Sequence, residues 1–268
     1  MTTIKSVLAQ AAQRLAAHES VLGRDRAHLH AWPDKELEPV QCERFERLIR
    51  RRVAGEPVAH LTGEREFWSL PLAVTVDTLI PRPDTERLVE LALERLPPGA
   101  PCRIADLGTG SGAIALALAS ERPDCRITAT DRSPAALAVA ARNARRLALT
   151  NVEFLHGDWC EALGSRRFHL IAANPPYICA NDPHLGRGDL RFEPREALLS
   201  GSDGLDAIRR IAACALAHLE AGGWLLVEHG FEQGAAAHEI FRAAGLDPVE
   251  VFTDAAGHDR VCTGRAPT

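Results

Sequence analysis

Asn174-Pro175-Pro176-Tyr177 places an amide, two stiff prolines and the chain's single tyrosine side by side. These residue types suit the activation of a planar nitrogen. An amide or exocyclic amine is a poor nucleophile because its lone pair is delocalised. Two acceptors gripping its N–H bonds favour a pyramidal nitrogen and stabilise the positive charge that develops on it. Asn174 offers a side-chain carbonyl, and Pro175 offers a backbone carbonyl held by its ring. Pro176 stiffens the same turn, and Tyr177 offers a flat face for the substrate group. The cationic product is strongly acidic, so no general base is needed before transfer. An electrophile held in line would complete the displacement largely by positioning. A proline-stiffened turn without a ligand would use the same residues, so their neighbours decide.

Asp106-Leu107-Gly108-Thr109-Gly110-Ser111-Gly112 is the second candidate. Glycines alternating between a strand and a helix permit a tight turn, expose N–H groups and let a ligand approach the main chain. Gly108, Gly110 and Ala113 also satisfy the dinucleotide pattern with a final alanine, so the loop alone leaves the nucleotide open. Asp131, 25 residues after Asp106, can accept both ribose hydroxyls of any adenosine cofactor. Asp106 itself suits an ammonium, which a nicotinamide dinucleotide lacks and S-adenosylmethionine has. Asp158 and Trp159 follow the next strand, where an acid can meet adenine's exocyclic amine and an indole can either pack on its ring or belong to the core.

These residues need a frame. Alternation after Pro101 predicts strands over 102–107, 126–130, 152–155, 168–172, 224–228, 249–252 and 260–263. Helices are expected over 112–120, 134–147, 204–219 and 233–244. Strands alternating with helices mean an α/β chain with a doubly wound, mostly parallel sheet. The last two strands have no helix between them, so the final one runs antiparallel to its neighbour. The glycine loop and Asn174 then both lie at the carboxyl ends of strands, where open sheets bind ligands. Before this region, helical spacing over 4–15 and 43–52 predicts a small helical N-terminal domain of residues 1–65. Two β-like runs over 67–70 and 72–76, meeting at Pro71, predict a hairpin within a linking segment of residues 66–80. A helix follows Pro81 and Pro83 and ends near Leu96.

The 268 residues are 46% hydrophobic and 25% charged, which excludes disordered and fibrous classes. A net charge of −5 argues against coating nucleic acid by bulk charge. No apolar run reaches the length of a membrane span and no signal peptide is evident. Seven cysteines without a Cys-x-x-Cys pair signal neither a disulfide framework nor a structural zinc. A soluble, reduced, cytoplasmic protein is expected, without metal, and a monomer suffices.

Taken together, the glycine loop, Asp131 and Asn174 to Tyr177 resemble a class I S-adenosylmethionine-dependent methyltransferase acting on an amide or amine nitrogen. Longer stretches are similar to the HemK/PrmC release-factor glutamine methyltransferases. They are Leu79-Ile80-Pro81-Arg82-Pro83-Asp84-Thr85-Glu86, Asp182-Pro183-His184-Leu185, Gly188-Asp189, Arg191-Phe192-Glu193-Pro194, Glu228-His229-Gly230, Gln233, Asp254, Gly257 and Asp259-Arg260. The resemblance covers about residues 55–264 and implies a Rossmann-like, seven-stranded domain over 81–268. It implies methylation of the side-chain nitrogen (N5) of the glutamine in the Gly-Gly-Gln motif of peptide-chain release factors, in support of translation termination. Asp106, Gly108, Thr109, Gly110, Ser111, Gly112, Asp131, Asp158, Trp159 and Asn174 would hold S-adenosylmethionine. Asn174, Pro175, Pro176 and Tyr177 would grip the glutamine; Arg82 and Glu86, four residues apart, form either an exposed ion pair or part of the wall around it. Arg44, Arg47, Arg50, Arg51 and Arg52 form either a solvated helix face or a surface that docks the release factor. The segment 189–193 is expected to shape the glutamine entrance.

Three other readings compete. An adenine-specific DNA methyltransferase shares the Asn-Pro-Pro-Tyr element, but needs a duplex-binding surface and a flipped base that this composition does not support. A dinucleotide oxidoreductase would leave Asn174 to Tyr177 unexplained. A non-catalytic module on the same fold would not need them. Direct contact with nucleic acid or membrane is not expected.

Overall fold

The computed structural model describes residues 31–32, 34–186 and 188–268. The chain divides into two compact units, Met1–Glu64 with His184–Phe192, and Arg65–Pro183 with Glu193–Thr268.

In the first unit, helix α1 (Pro39–Val53) starts with proline in its first turn and a reciprocal capping box between Glu38 and Gln41. Its apolar face, Phe45 and Leu48, packs with Leu61 of helix α2 (Val58–Thr62). α1 begins four residues before the expected 43, because the proline and the box fix its start where periodicity alone could not. The helix expected over 4–15 lies outside the described residues. The basic end of α1 is largely neutralised within this unit. Arg51 pairs with Glu56, and Arg52 Nη1 lies 3.3 Å from Asp189 Oδ1. Arg191 donates to the Ala54 carbonyl at 2.8 Å.

The second unit opens with a hairpin of β1 (Glu64–Phe67) and β2 (Leu70–Ala73). It turns at Trp68 and Ser69, which take φ of 53° and 59°, and not at the expected Pro71. Proline sits within the second strand instead, where an edge strand tolerates its missing N–H. A short 3-10 turn, Pro83–Thr85, leads into α3 (Glu86–Arg95).

Then come β3 (Arg103–Leu107), α4 (Ala113–Glu121), β4 (Arg126–Asp131), α5 (Pro134–Arg146), β5 (Val152–His156) and β6 (Phe168–Ala173). After a long connection follow α6 (Asp206–Ala215), β7 (Leu219–Glu228), α7 (Gly234–Ala243), β8 (Val249–Thr253) and β9 (Asp259–Arg265). The helix expected over 204–219 is shorter, because β7 begins at Leu219 and extends five residues ahead of the predicted strand. Gly222 and Gly223 interrupt its apolar pattern and hid that extension.

The seven strands stand in the order β5-β4-β3-β6-β7-β9-β8. β9 alone runs antiparallel to its two neighbours, as the absence of a helix between the last strands requires. Side chains alternate between the faces with the period of a strand. Ile104, Leu170, Ala172 and Leu226 join a core with α3 and α4 on one face. Ala105, Ile171, Ala173, Leu225 and Val227 join α6 and α7 on the other. Strands buried on both faces read as near-continuous apolar runs, which is why they stood out.

Cys160 and Cys214, 54 residues apart, are joined as a disulfide, which corrects the fully reduced reading. A turn after β5 and the end of α6 bring them together, a proximity invisible in sequence spacing. Among the described residues no helix is long and apolar enough to cross a membrane.

Candidate active site

β3 and β6 are adjacent although the chain leaves β3 toward β5 and returns, so the order reverses between them. At such a switch point diverging loops open a crevice at the carboxyl ends of the strands. Register decides what meets there. Leu107 pairs with Ala173 on one side and Thr130 on the other, so Gly108 lies between Asn174 and Asp131. Ala173 pairs with Val227, so Asn174 and Glu228 are also neighbours. A cavity of about 320 Å³ opens at this edge, within the second unit. That size suits a small-molecule site.

The glycine loop forms the cavity's floor. Gly108, Gly110 and Gly112 take φ of 73°, 56° and 89°, a region that disfavours any side chain. Gly108 and Thr109 both donate to the Thr130 carbonyl, at 2.9 and 2.8 Å. The Trp159 indole lies against Gly108, leaving only 3.0 Å for a Cβ there. Asp131 receives the Gly110 N–H at 2.9 Å and the Ser133 N–H at 2.8 Å, one on each oxygen. Each oxygen keeps a lone pair for a ligand hydroxyl.

Gly108, Thr109, Gly110, Ser111, Asp131, Asp158, Trp159, Asn174 and Arg82 line the cavity. Asp158 meets Arg210 at 2.6 Å on the same wall. Arg82 pairs with the buried Glu193, whose other oxygen takes the Ile80 N–H at 3.0 Å.

Other expected site residues take different positions. Asp106 is fully buried and does not line the cavity. Its Oδ2 accepts from the Thr109 hydroxyl at 2.6 Å and the Ala115 N–H at 3.2 Å. Through that oxygen it braces the loop against α4, while its Oδ1 is buried with no partner among the described residues. Burial raises its pKa to about 7. Gly112 also lies off the cavity wall, packed by Leu116 and Ala140. Glu86 accepts the Trp68 N–H at 3.0 Å and caps the hairpin turn, so it does not belong to the substrate wall. Asp189 pairs with Arg52 in the first unit, while Glu193 serves the second.

In the reacting segment, the side chains of Asn174 and Pro176 line the cavity, with Pro175 and Tyr177 next to them in the chain. The Tyr177 hydroxyl donates to Glu228 Oε1 at 3.2 Å, and its carbonyl accepts from Gln233 Nε2 at 3.0 Å. Asn174 Nδ2 donates to Thr85 Oγ1 at 3.0 Å. Its Oδ1 is buried and has no partner among the described residues. An orphaned carbonyl in a native fold is costly unless a ligand completes it.

Thr85 and Glu228 were not singled out as site residues. Glu228 is 1% exposed, and burial pushes its pKa up to about 7. A carboxylate ending a core strand one register position from Asn174 was the available signal. It surfaces only once the order of the strands is known.

Comparison with known proteins gives the family. Residues 87–185 match the methyltransferase small domain model, and residues 6–63 match the PrmC N-terminal domain model. A release factor glutamine methyltransferase of Xylella fastidiosa is 53% identical over 256 residues, covering 96% of this chain and 92% of that protein. One from Escherichia coli K12 is 53% identical, covering 92% of this chain and 89% of its own. A 16S rRNA N2 methyltransferase of T. thermophilus, solved with AdoMet and guanosine, shares the fold. Its TM-score is 0.54 at 20% identity, over 76% of this chain and 49% of that one.

Proposed function

The chain belongs to the release factor glutamine methyltransferase family, and on that premise we propose that it uses the β3–β6 crevice to methylate the side-chain amide nitrogen of a release-factor glutamine. The enzyme is a protein-glutamine methyltransferase. The acceptor is taken as N5 of the glutamine in the Gly-Gly-Gln motif. The orphaned Asn174 Oδ1 carries this assignment, since it is a buried acceptor without a partner among the described residues, on a side chain that lines the cavity.

The cavity fits S-adenosylmethionine. The left-handed Gly108 and Gly110 clear the floor, Trp159 offers an indole face, and Asp131 offers free lone pairs for ribose hydroxyls. When bound, this cofactor supplies an electrophilic methyl group. This chain supplies the rest. Asn174 Oδ1 and the Pro175 carbonyl accept the two N–H bonds of the substrate amide, drawing its lone pair out of conjugation and stabilising the charge that forms on nitrogen. The prolines fix the spacing of those acceptors, and Glu228 tethers Tyr177 beside them. Arg82, held by Glu193, borders the entrance. The first unit serves as the docking domain for the protein substrate, with Arg44 and Arg47 exposed on α1 for that contact.

Incubating the enzyme with methyl-labelled S-adenosylmethionine and a purified bacterial release factor tests the assignment. The same factor with its motif glutamine replaced, and duplex DNA, are run beside it. Label only in the unaltered factor is expected. Label in DNA would replace this reading with a base methyltransferase. Label in neither, with cofactor bound, would keep the fold and discard the substrate.

A further inference from the structure

We infer that Gln233 is a positioning residue that pins the main chain of the reacting segment at Tyr177 and so fixes the acceptors just before it. This rests on the proposed roles of Asn174 Oδ1 and the Pro175 carbonyl, and names what holds them still.

Residues 174–177 pose an anchoring problem. Prolines have no N–H, so Pro175 and Pro176 cannot be tied down by main-chain donation. On the proposed reading the Pro175 carbonyl must also stay free for substrate. Upstream, Ala173 is held in β6. Downstream, the Ile178 N–H donates to the Leu198 carbonyl and the Ser200 N–H to the Ile178 carbonyl, both at 2.9 Å. Between these anchors, the Tyr177 carbonyl is a main-chain group that can be gripped without taking an acceptor from the site.

Gln233 grips it. Its Nε2 donates to the Tyr177 carbonyl at 3.0 Å and to the Asp203 carbonyl at 3.3 Å. Its Oε1 accepts the Gly230 N–H at 2.9 Å. All three partners are main-chain groups, whose direction of bonding cannot change. A carbonyl only accepts and an N–H only donates, so the Gln233 amide can face one way. Glutamate has the length but no donor, and methionine approximates the shape with only a weak acceptor.

The carrier is fixed as well. Gln233 stands at the N-cap position of α7, and its own N–H donates to the Gly230 carbonyl at 2.8 Å. Two glycines let the surrounding chain come close. Gly204, at φ 78°, passes so near that an added Cβ would collide with the Tyr177 oxygen and lie 2.6 Å from Gln233 Nε2. At Gly230 an added Cβ would lie 3.1 Å from Gln233 Oε1. The Tyr177 hydroxyl meanwhile donates to Glu228 Oε1 at 3.2 Å. The turn from β7 into α7 therefore holds this tyrosine at its hydroxyl and at its carbonyl. Gln233 is not among the residues lining the cavity, so its effect on the chemistry passes through Tyr177. This gives a role to a glutamine that the sequence singled out beside Glu228-His229-Gly230 without assigning one.

The test uses the full-length enzyme with intact release factor and exploits the single tyrosine of the chain. Tyrosine labelled with 13C at its carbonyl places one reporter in the protein, at the bond in question. Gln233→Met keeps the approximate shape without the donors, and Gln233→Glu sets a carboxylate against two carbonyls. In both, the labelled signal is expected to move upfield of wild type, as a carbonyl losing a hydrogen bond does. Displacing a gripping group is costly, so kcat is expected to fall about tenfold in Gln233→Met and further in Gln233→Glu. Kd for S-adenosylmethionine and KM for release factor should stay within about twofold of wild type, with one cofactor bound per chain. A merely structural residue would instead lower the melting temperature and the bound cofactor while leaving kcat per bound cofactor unchanged, and that result would overturn the inference. An unmoved carbonyl signal, or failure of both variants to fold, would overturn it too. Normal kcat in both variants beside an inactive Asn174→Ala would overturn it and spare the acceptor role. Near-normal kcat in Asn174→Ala would overturn the acceptor role itself.

Discussion

Asn174 and Asp131 sit at the ends of strands two positions apart in the sheet, and their substitutions should separate binding from chemistry. On the proposed reading, Asn174→Ala removes an acceptor whose full interaction would form only as charge develops on the substrate nitrogen. Turnover should fall by about two orders of magnitude or more, while cofactor affinity stays within about tenfold. On the same reading, Asp131→Ala removes acceptors that a bound ribose would use in ground and transition states alike. Calorimetry should show cofactor binding weakened by about 1–3 kcal/mol. Equal affinity in wild type and Asp131→Ala would take Asp131 out of the site, and near-normal turnover in Asn174→Ala would end the polarising role. Both residues were legible in the sequence because their chemistry is local: a carbonyl beside rigid prolines, an acid after a strand. Asp106 and Glu86 carried equally suggestive types yet turned inward to brace a loop and a hairpin. Side-chain direction depends on which backbone N–H groups lie nearby unsatisfied, and spacing does not record that.

Elements were easier to read than residues, because burial on both faces leaves a long apolar run for each strand and turn chemistry marks its ends. Lengths failed where glycine or proline interrupts the pattern without ending the element, as at Pro71 in β2 and Gly222 in β7. The loop between β3 and α4 shows glycine acting as required geometry. At Gly112, φ is 89° and an added Cβ would lie 3.0 Å from Leu116 and 3.2 Å from Ala140. Gly112→Ala combines left-handed strain with crowding and should destabilise the fold by about 1–3 kcal/mol. At Gly110 φ is 56° with nothing within 4 Å of an added Cβ, so Gly110→Ala should cost only about 1–2 kcal/mol of strain. The methyl group would instead project beside the cavity that Gly110 lines, and cofactor affinity should drop more than stability. Thermal melts paired with cofactor titrations check this ordering. A Gly112→Ala protein as stable as wild type would mean that the loop adapts freely and its glycines are not needed for shape.

Across the whole molecule, the cost of keeping two acids dry should appear in the pH dependence of stability. Asp106 and Glu228 are each held at about 7, against ordinary values of 3.8 and 4.5, chiefly because burial penalises the charged form. Between about pH 4 and 7 the folded protein therefore retains protons that the unfolded chain has released. Linkage then requires stability to fall as pH rises through that window, by up to about 1.4 kcal/mol per pH unit for each group, and to stop changing on their account above about 7. His229 works in the opposite sense. It is buried, its pKa is lowered by burial, and unfolding lets it gain a proton below about 6.5. The net profile of the wild-type protein mixes these contributions, so differences carry the test. Asp106→Asn and Glu228→Gln each remove one raised acid, and each variant's stability relative to wild type should improve steadily between pH 5 and 7. Denaturant unfolding at fixed pH values measures that difference. A pH-independent gap for either variant would mean that its carboxyl ionises at an ordinary value. For Glu228 the same result would remove the desolvated setting in which this carboxyl group receives the Tyr177 hydroxyl.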